Sequence, residues 1–305
     1  MKPVIFGYIR FSYLGRSDVK LARSNDDLEH RKQVLYSAER LKERFYFFEK
    51  LCLPSLRWQT DQDFRIAILT SPELPRKYRK RLEASVADIP QVEIVYSRAP
   101  HITYAIDPWI KQQEVVHQQR TLHFRLDDDD ALASDFVATL RQQMDHVPDS
   151  SIISRPSGLF LIDSAEGPQL LAKFEPYIAI GFALVNGPGK IHNPYALQHG
   201  NHFRSVPSLV LPGQLAYIHT AHIQSDTLAA QGRKLNHARA EHAQYFGDRP
   251  RRFMYAVMRQ FGGKKPGHFL DIIRNSPGNV AVKKFSAQVQ HEADEAPIEL
   301  DIRAT

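Results

Sequence analysis

The sequence predicts an α/β protein with a mainly parallel central sheet, a mixed second half and a helical C-terminal extension. Three observations predict it. Short β-rich runs alternate with amphipathic stretches as far as Leu126; Gly, Pro and Asn turns then separate a set of short strands; beyond about residue 223 the pattern becomes helical and basic. Val4 to Ile9 is an apolar run suited to a buried first strand. Asp26 with Glu29 three residues later forms a capping box for the first helix. Leu35, Ala38, Leu41, Phe45, Phe48 and Cys52 recur at three- and four-residue steps, which predicts one amphipathic helix ending near Pro54. Phe64 to Leu69 is the second strand, stopped by Thr70-Ser71-Pro72. Pro75 to Ala87, with Lys77, Arg79, Lys80 and Arg81, reads as a surface helix, and Val92 to Tyr96 as the third strand. Helices are expected over about Pro108 to Gln119 and over Phe136 to Met144. Ser151–Ser154, Leu159–Asp163, Ile178–Asn186 and Leu215–His219 are the strands of the mixed half.

The chain has 305 residues, 43% hydrophobic and 24% charged, enough to bury a sizeable core. The expected division is residues 1–225 as the main domain, 226–275 as a basic helical extension and 276–305 as a loosely ordered tail. A single cysteine, Cys52, excludes an internal disulfide and fits a reducing cytoplasm. The N-terminal apolar run is too short for a signal peptide, and no run reaches the roughly 18–20 apolar residues of a membrane span. A net charge of +6 admits anionic partners: nucleic acid, anionic lipid or a phosphorylated small molecule.

Residues Thr121 to Leu132 carry most of the functional information. Leu122, Phe124 and Leu126 alternate with His123 and Arg125, the period of a half-buried strand, and the strand runs into Asp127, Asp128, Asp129 and Asp130. Four adjacent carboxylates repel unless solvent or a cation neutralises them. Ligands of open α/β sheets bind beyond the carboxyl ends of the strands, and carboxylate oxygens there are the hard ligands Mg²⁺ or Mn²⁺ prefers beside phosphates. An acidic edge of this kind argues against nucleic acid as the partner on that face. The bland reading is a solvated acidic turn or helix N-terminus.

The segment Arg125-Leu126-Asp127-Asp128-Asp129-Asp130-Ala131-Leu132, with Asp135-Phe136-Val137 following, resembles the Asp-x-Asp motif of GT-A glycosyltransferases and, more narrowly, a bacterial rhamnosyltransferase family. Arg10-Phe11-Ser12 after the first strand, and Leu53-Pro54-Ser55-Leu56 with Gln59 and Phe64 before the second, fit the same family; the resemblance covers about residues 1–225. It implies a GT-A, nucleotide-diphospho-sugar transferase fold, a nucleotide-sugar donor, and transfer to a glycan or lipid-linked acceptor in building a surface glycan. It also implies Mn²⁺ or Mg²⁺ as cofactor. By that resemblance Asp127 faces the ribose or metal-bound water, Asp129 is the direct metal ligand, Asp130 is the extra acid and Asp128 takes the variable position. A one-residue slip would make Asp128 and Asp130 the pair, since only one alternating set faces the phosphates. The expected donor-binding set is Arg10, Ser12, Arg125, Asp127 and Asp128.

His219 and His222, at the end of a predicted strand, are the candidates for a further metal ligand, with His199 and His202 in a loop of similar chemistry. The bland alternative is a surface or hydrogen-bonded histidine. Glu175, Asp163 and Asp226 are the candidates for the base that takes the acceptor hydroxyl's proton. Phe253, Met254, Val257 and Phe261, flanked by Arg251, Arg252 and Arg259, read either as a solvated basic helix or as a peripheral contact with the inner face of a membrane. Two rivals to sugar transfer stand beside it: a metal-dependent phosphohydrolase or nuclease, and a non-catalytic sugar- or cation-binding domain.

Overall fold

In a computed structural model the structure describes residues 4–15, 28–164, 166–196, 206–222 and 231–281. In chain order the elements begin with β1 (Val4–Arg10), α1 (Leu28–Leu35) and α2 (Ala38–Phe47), which passes through a π-helical turn at Phe48–Cys52 into α3 (Leu53–Arg57). There follow β2 (Arg65–Thr70), α4 (Arg76–Val86), β3 (Val92–Tyr96), α5 (Ile102–Lys111), α6 (Val115–Gln118), β4 (Thr121–Asp127), β5 (Ala131–Leu132) and α7 (Phe136–Met144). The second half contains β6 (Ile152–Ser154), β7 (Ser157–Ser164), β8 (Gly167–Phe174), β9 (Phe182–Asn186), β10 (Ser208–Val210) and β11 (Tyr217–Ala221), then α8 (Gln231–Tyr245), α9 (Pro250–Gln260) and α10 (Pro266–Arg274).

The strands form a seven-stranded sheet, ordered β10-β6-β9-β4-β1-β2-β3, and a four-stranded sheet, ordered β5-β11-β7-β8. β4, β1, β2 and β3 are parallel, while β9 runs antiparallel to β4 and β6. This is the mainly parallel sheet with a mixed second half that the sequence predicts. β1 lies inside the sheet between β4 and β2, and Gly7 is needed there: a Cβ would lie 2.5 Å from the Phe124 ring of β4. The largest core packs the sheet against α2, α3 and α7 through Ile5, Ile9, Phe45, Phe48, Leu122, Phe124 and Phe136, all fully buried.

Several boundaries differ from expectation. The single helix through Leu35 and Cys52 is broken at Tyr36–Ser37 and tightens into a different repeat at Phe48. The helix expected over Pro108–Gln119 starts at Ile102 instead, and a separate short turn covers Val115–Gln118. Pro108 sits inside α5. It removes the N–H that would reach the carbonyl of Tyr104. The buried face Ile102, Ala105, Ile106, Trp109 and Ile110 holds the helix together across the proline. The strand expected from Ile178 starts at Phe182, because Ile178–Gly181 is a turn closed by Gly181 N–H on the Ile178 carbonyl. β8 and β10 are unforeseen. β8 opens on Gly167-Pro168, which reads as a turn; as an edge strand it tolerates that proline.

The C-terminal helices cover the second sheet. Val257, Phe261, Phe269 and Ile273 are buried with Leu159, Leu161 and Ile218. The stripe that reads in sequence as a membrane face is therefore spent on packing: Val257 and Phe261 are fully buried and Phe253 partly so. Among the described residues no helix is long and apolar enough to cross a membrane. α8 also caps the open edge of β8. The Ala172 N–H reaches His242 Nδ1 at 3.2 Å, and the Phe174 N–H reaches Glu241 Oε2 at 2.9 Å. Backbone donors that would template another strand are thus taken. The described part of the expected tail, to residue 281, continues from α10, and the rest lies outside the described residues.

Candidate active site

β1 and β4 pair in register from Val4↔Thr121 to Arg10↔Asp127, so the acidic run begins where the central parallel strands end. Asp127 is the last residue of β4. The Asp130 N–H donates to the Asp127 carbonyl at 3.2 Å and closes the turn that leads into β5. Side chains from elsewhere fix the chain just beyond. The Gln59 amide donates to the Ser55 carbonyl at 2.9 Å and the Ala133 carbonyl at 2.7 Å, and its oxygen accepts the Val137 N–H at 3.1 Å. The Trp58 ring N–H reaches the Leu132 carbonyl. From β11 the Thr220 N–H donates to Asp130 Oδ1 and its hydroxyl to the Asp129 carbonyl, each at 2.8 Å.

Protein cations neutralise much of the acidic run. Arg44, on α2, donates to Asp128 Oδ1 at 2.7 Å and to Asp129 Oδ2 at 3.0 Å. His222 Nε2 lies 3.0 Å from Asp129 Oδ2, its Nδ1 lies 3.5 Å from Glu43, and its ring stacks on Phe47. Arg125 lies 3.2 Å from Asp127 and is seated over the Tyr195 ring, 4.6 Å from its centroid. The acids respond differently. Burial works against ionising Asp127, but the Arg125 and Arg10 guanidiniums outweigh it and hold the carboxyl low. Burial likewise opposes ionised Asp129, and Arg44 and His222 hold that carboxyl far below the usual range. Asp130 is pushed well up by burial and by the neighbouring Asp129 and Asp127 charges.

Asp128 is pushed up to about 6, chiefly by burial, with Arg44 pulling the other way. An acid whose folded value lies above its unfolded value of about 3.9 contributes stability that is full below pH 4 and lost as pH rises through 6. Asp128→Asn, which keeps an oxygen for Arg44, is therefore expected to help stability more at pH 7.5 than at pH 5. Thermal denaturation at the two pH values checks this; an equal Tm change at both would contradict it.

A cavity of about 340 Å³ opens at this edge, lined by Arg125, Asp127, Asp130, Glu175, His219 and Lys234 and floored by the turn from Pro176 to Ile180. Lys173, 7% exposed, stands behind it, with Nζ 2.5 Å from Glu175 and 3.0 Å from His219 Nδ1. An ammonium has only protons to give, so His219 Nδ1 accepts and its Nε2 carries the proton. Burial first, and the Lys173 charge next, lower His219 to about 3, which keeps the imidazole neutral. A smaller cleft beside the cavity gathers Arg10, Ser12, Arg40, Arg44 and Asp128. Ser12 has φ 44°, and its buried hydroxyl has no hydrogen-bond partner.

The expected residues thus divide. Arg125, Asp127, Asp130, Glu175 and His219 come together in the cavity, and Arg10, Ser12 and Asp128 in the adjoining cleft. Asp129 and His222 are turned onto each other, Asp129 also taking Arg44, and neither lines the cavity. Asp163 lies near the far end of β7, paired with Pro168; alternation places it on the face opposite Phe160, the neighbour of His219. Asp226, His199 and His202 lie outside the described residues. Among the described residues no group of three or more His, Cys, Asp or Glu is poised as a metal cage. Glu43, Arg44 and Lys173 escaped the sequence reading. The one available signal was Glu43, which shares the stripe of Phe47 and Leu51 at four-residue steps and is buried there.

A mainly parallel α/β sheet whose central strand delivers an acidic run to a cavity at its carboxyl edge has the GT-A form, and the family it falls in makes this chain a glycosyltransferase. A family model described as "Putative rhamnosyl transferase" matches residues 4–234, and the chain belongs to that family. A search of curated proteins returned no match. Similar solved structures include S. aureus TarS 1–349 in complex with UDP, at 9% identity over 98% of this chain and 76% of that one, TM-score 0.35. The same S. aureus protein without that ligand gives 10% identity over 97% and 76%, TM-score 0.36. A 4-diphosphocytidyl-2C-methyl-D-erythritol synthase gives 10% identity over 70% and 90%, TM-score 0.35.

Proposed function

We propose that this chain transfers a sugar, rhamnose being the first to test, from a nucleotide-diphosphate donor to a hydroxyl of a glycan or lipid-linked acceptor, with Mn²⁺ or Mg²⁺ at the donor phosphates. The observation that carries this reading is the cavity at the carboxyl end of β4, where Asp127 and Asp130 face Arg125, His219, Lys234 and Glu175. The hard oxygens of Asp127 and Asp130 suit a divalent cation that completes its shell with phosphate and water. Asp128 and Asp129 already hold Arg44. When bound, the cation offsets the charge that grows on the leaving diphosphate.

The chain's own groups supply the rest. Arg125 and Lys234 add positive charge at the phosphates, and the Nε2–H of neutral His219 donates a hydrogen bond without changing charge. Arg10, Arg40 and Ser12 line the small cleft on the β1 side and add two guanidiniums and a hydroxyl for the nucleotide to meet at the cavity's rim. Glu175 lies in the cavity and is 46% exposed at its side chain, so an incoming hydroxyl can reach it. The acceptor oxygen attacks the anomeric carbon, the bond to the diphosphate breaks with its electron pair leaving on phosphate, and the hydroxyl proton passes to Glu175. A phosphohydrolase would draw its acids from several strand ends; here four come from one turn.

A thermal-shift screen of nucleoside diphosphates and their sugar derivatives, with and without Mn²⁺, tests the reading. Stabilisation of several degrees by one diphosphate, larger with the ion, is expected. If none stabilises the protein, sugar transfer is the wrong function. If one does so equally without metal, only the cation is wrong.

A further inference from the structure

A second cavity, also of about 340 Å³, lies on the other side of Lys173, between the Ser157 and Phe174 ends of the β7–β8 hairpin and the helices α8 and α9. Its walls include Phe174, Pro212, Leu215, Tyr245, Phe246 and Arg252, and among the described residues no carboxylate lines it. Its volume suits a small-molecule site. Two features give it a chemistry. Arg252, in the first turn of α9, is exposed and forms no ion pair among the described residues, so its guanidinium presents an uncompensated charge and a flat fork of donors. Beside it, Tyr245 is 50% exposed although aromatic. Phe246 is held in place by Phe253 at 5.1 Å between ring centroids, and Phe253 by His242 at 4.7 Å. These rings form a rigid apolar wall next to an open cation.

The two cavities share the run of chain that separates them. Lys173 and Phe174 wall the second, and the next residues, Glu175 and Pro176, line the first. Lys173 and Glu175 meet on one face of the strand, so Phe174 between them faces the other way, and a molecule seated against Phe174 lies across the end of the β7–β8 hairpin from the carboxylate that accepts the proton. We propose that this second cavity is an outlying subsite for an extended acceptor, and that it takes a pyranose unit carrying a negative group, its anion on Arg252 and its ring against Tyr245 and Phe246. The inference rests on the sugar-transfer reading for its role and on the cavity's own chemistry for its ligand. A sugar ring offers C–H faces to aromatic rings, and a carboxylate or phosphate matches guanidinium geometry.

The test uses the full chain and three probes: a hexuronic acid disaccharide, a hexose phosphate and a neutral hexose disaccharide, with binding read by saturation-transfer NMR and titration calorimetry. At least one anionic probe is expected to bind about tenfold more tightly than the neutral one. The tighter of the two anions distinguishes a uronate from a phosphate source. Arg252→Gln should remove the preference, and Tyr245→Ala should weaken all three probes. Both side chains are exposed, so the fold is kept, and the thermal shift given by a nucleoside diphosphate should be unchanged in both variants. Equal affinity for charged and neutral probes, a preference that survives Arg252→Gln, or no binding of any probe would overturn the subsite. Loss of the nucleotide shift in the wild-type chain, with sugar binding intact, would instead overturn the transfer reading and leave the anionic-sugar cavity standing.

Discussion

Asp127→Asn is expected to cut sugar transfer by about a hundred-fold or more while moving Tm by no more than about 2 °C, and Asp129→Ala to do damage of a different kind. Asp127 is partly exposed at the cavity, and its amide keeps the shape and one acceptor oxygen for Arg125. On the proposed function, losing its charge removes a ligand for the donor's cation. Asp129 is the inner partner of Arg44 and His222, with its side chain 12% exposed. Truncating it strands both groups in a buried site, where breaking such a pair costs about 3–5 kcal/mol. In a chain of this size that corresponds to a fall in Tm of roughly 5–8 °C. Thermal denaturation and nucleotide-binding assays on the two variants separate the cases. Unchanged stability in Asp129→Ala, with donor binding lost, would return Asp129 to the role of direct cation ligand.

Lys173→Met carries the second large effect. The Lys173 ammonium joins Glu175 to His219 from behind the cavity, and methionine fills nearly the same volume without the charge. His219 is lowered by burial first and by Lys173 next, so removing the lysine should move its titration upward from about 3. Its tautomer should also cease to be fixed, because Nδ1 loses its donor. The wild-type ring should show no titration between pH 5 and 8 by NMR, whereas the variant's ring should begin to titrate and its two nitrogen signals should average. Transfer should fall about ten- to a hundred-fold, the size of a misplaced proton acceptor. Identical ring spectra in both proteins would mean that Lys173 serves packing alone.

The parallel strands β1, β2, β3 and β4 were legible because buried central strands are short apolar runs, and the sheet order then puts Asp127 at its carboxyl edge without further information. The seating of the four acids was less legible. Charge crowding implied a cation, and the fold supplies several of its own. Arg44 comes from a helix 84 residues away from Asp128, and nothing local in either segment announces that meeting. The second sheet was read incompletely for a related reason: β8 gains its status from pairing with β7 and from the α8 side chains that cap it, not from a pattern of its own. The basic C-terminal helices show the same dependence on context, since a stripe of Phe and Val flanked by arginines has one appearance in sequence whether it meets lipid or a sheet.

The Thr220 hydroxyl holds the backbone within the acidic turn, and the side chains of Trp58 and Gln59 hold it just beyond. Consequently, the turn has little conformational freedom left to lose when a ligand arrives. An incoming nucleotide meets carboxylates whose positions were set during folding, so its affinity is not diminished by an ordering entropy at that loop. The heat-capacity change of binding should then reflect the surface the nucleotide itself covers, without the large excess that accompanies coupled folding.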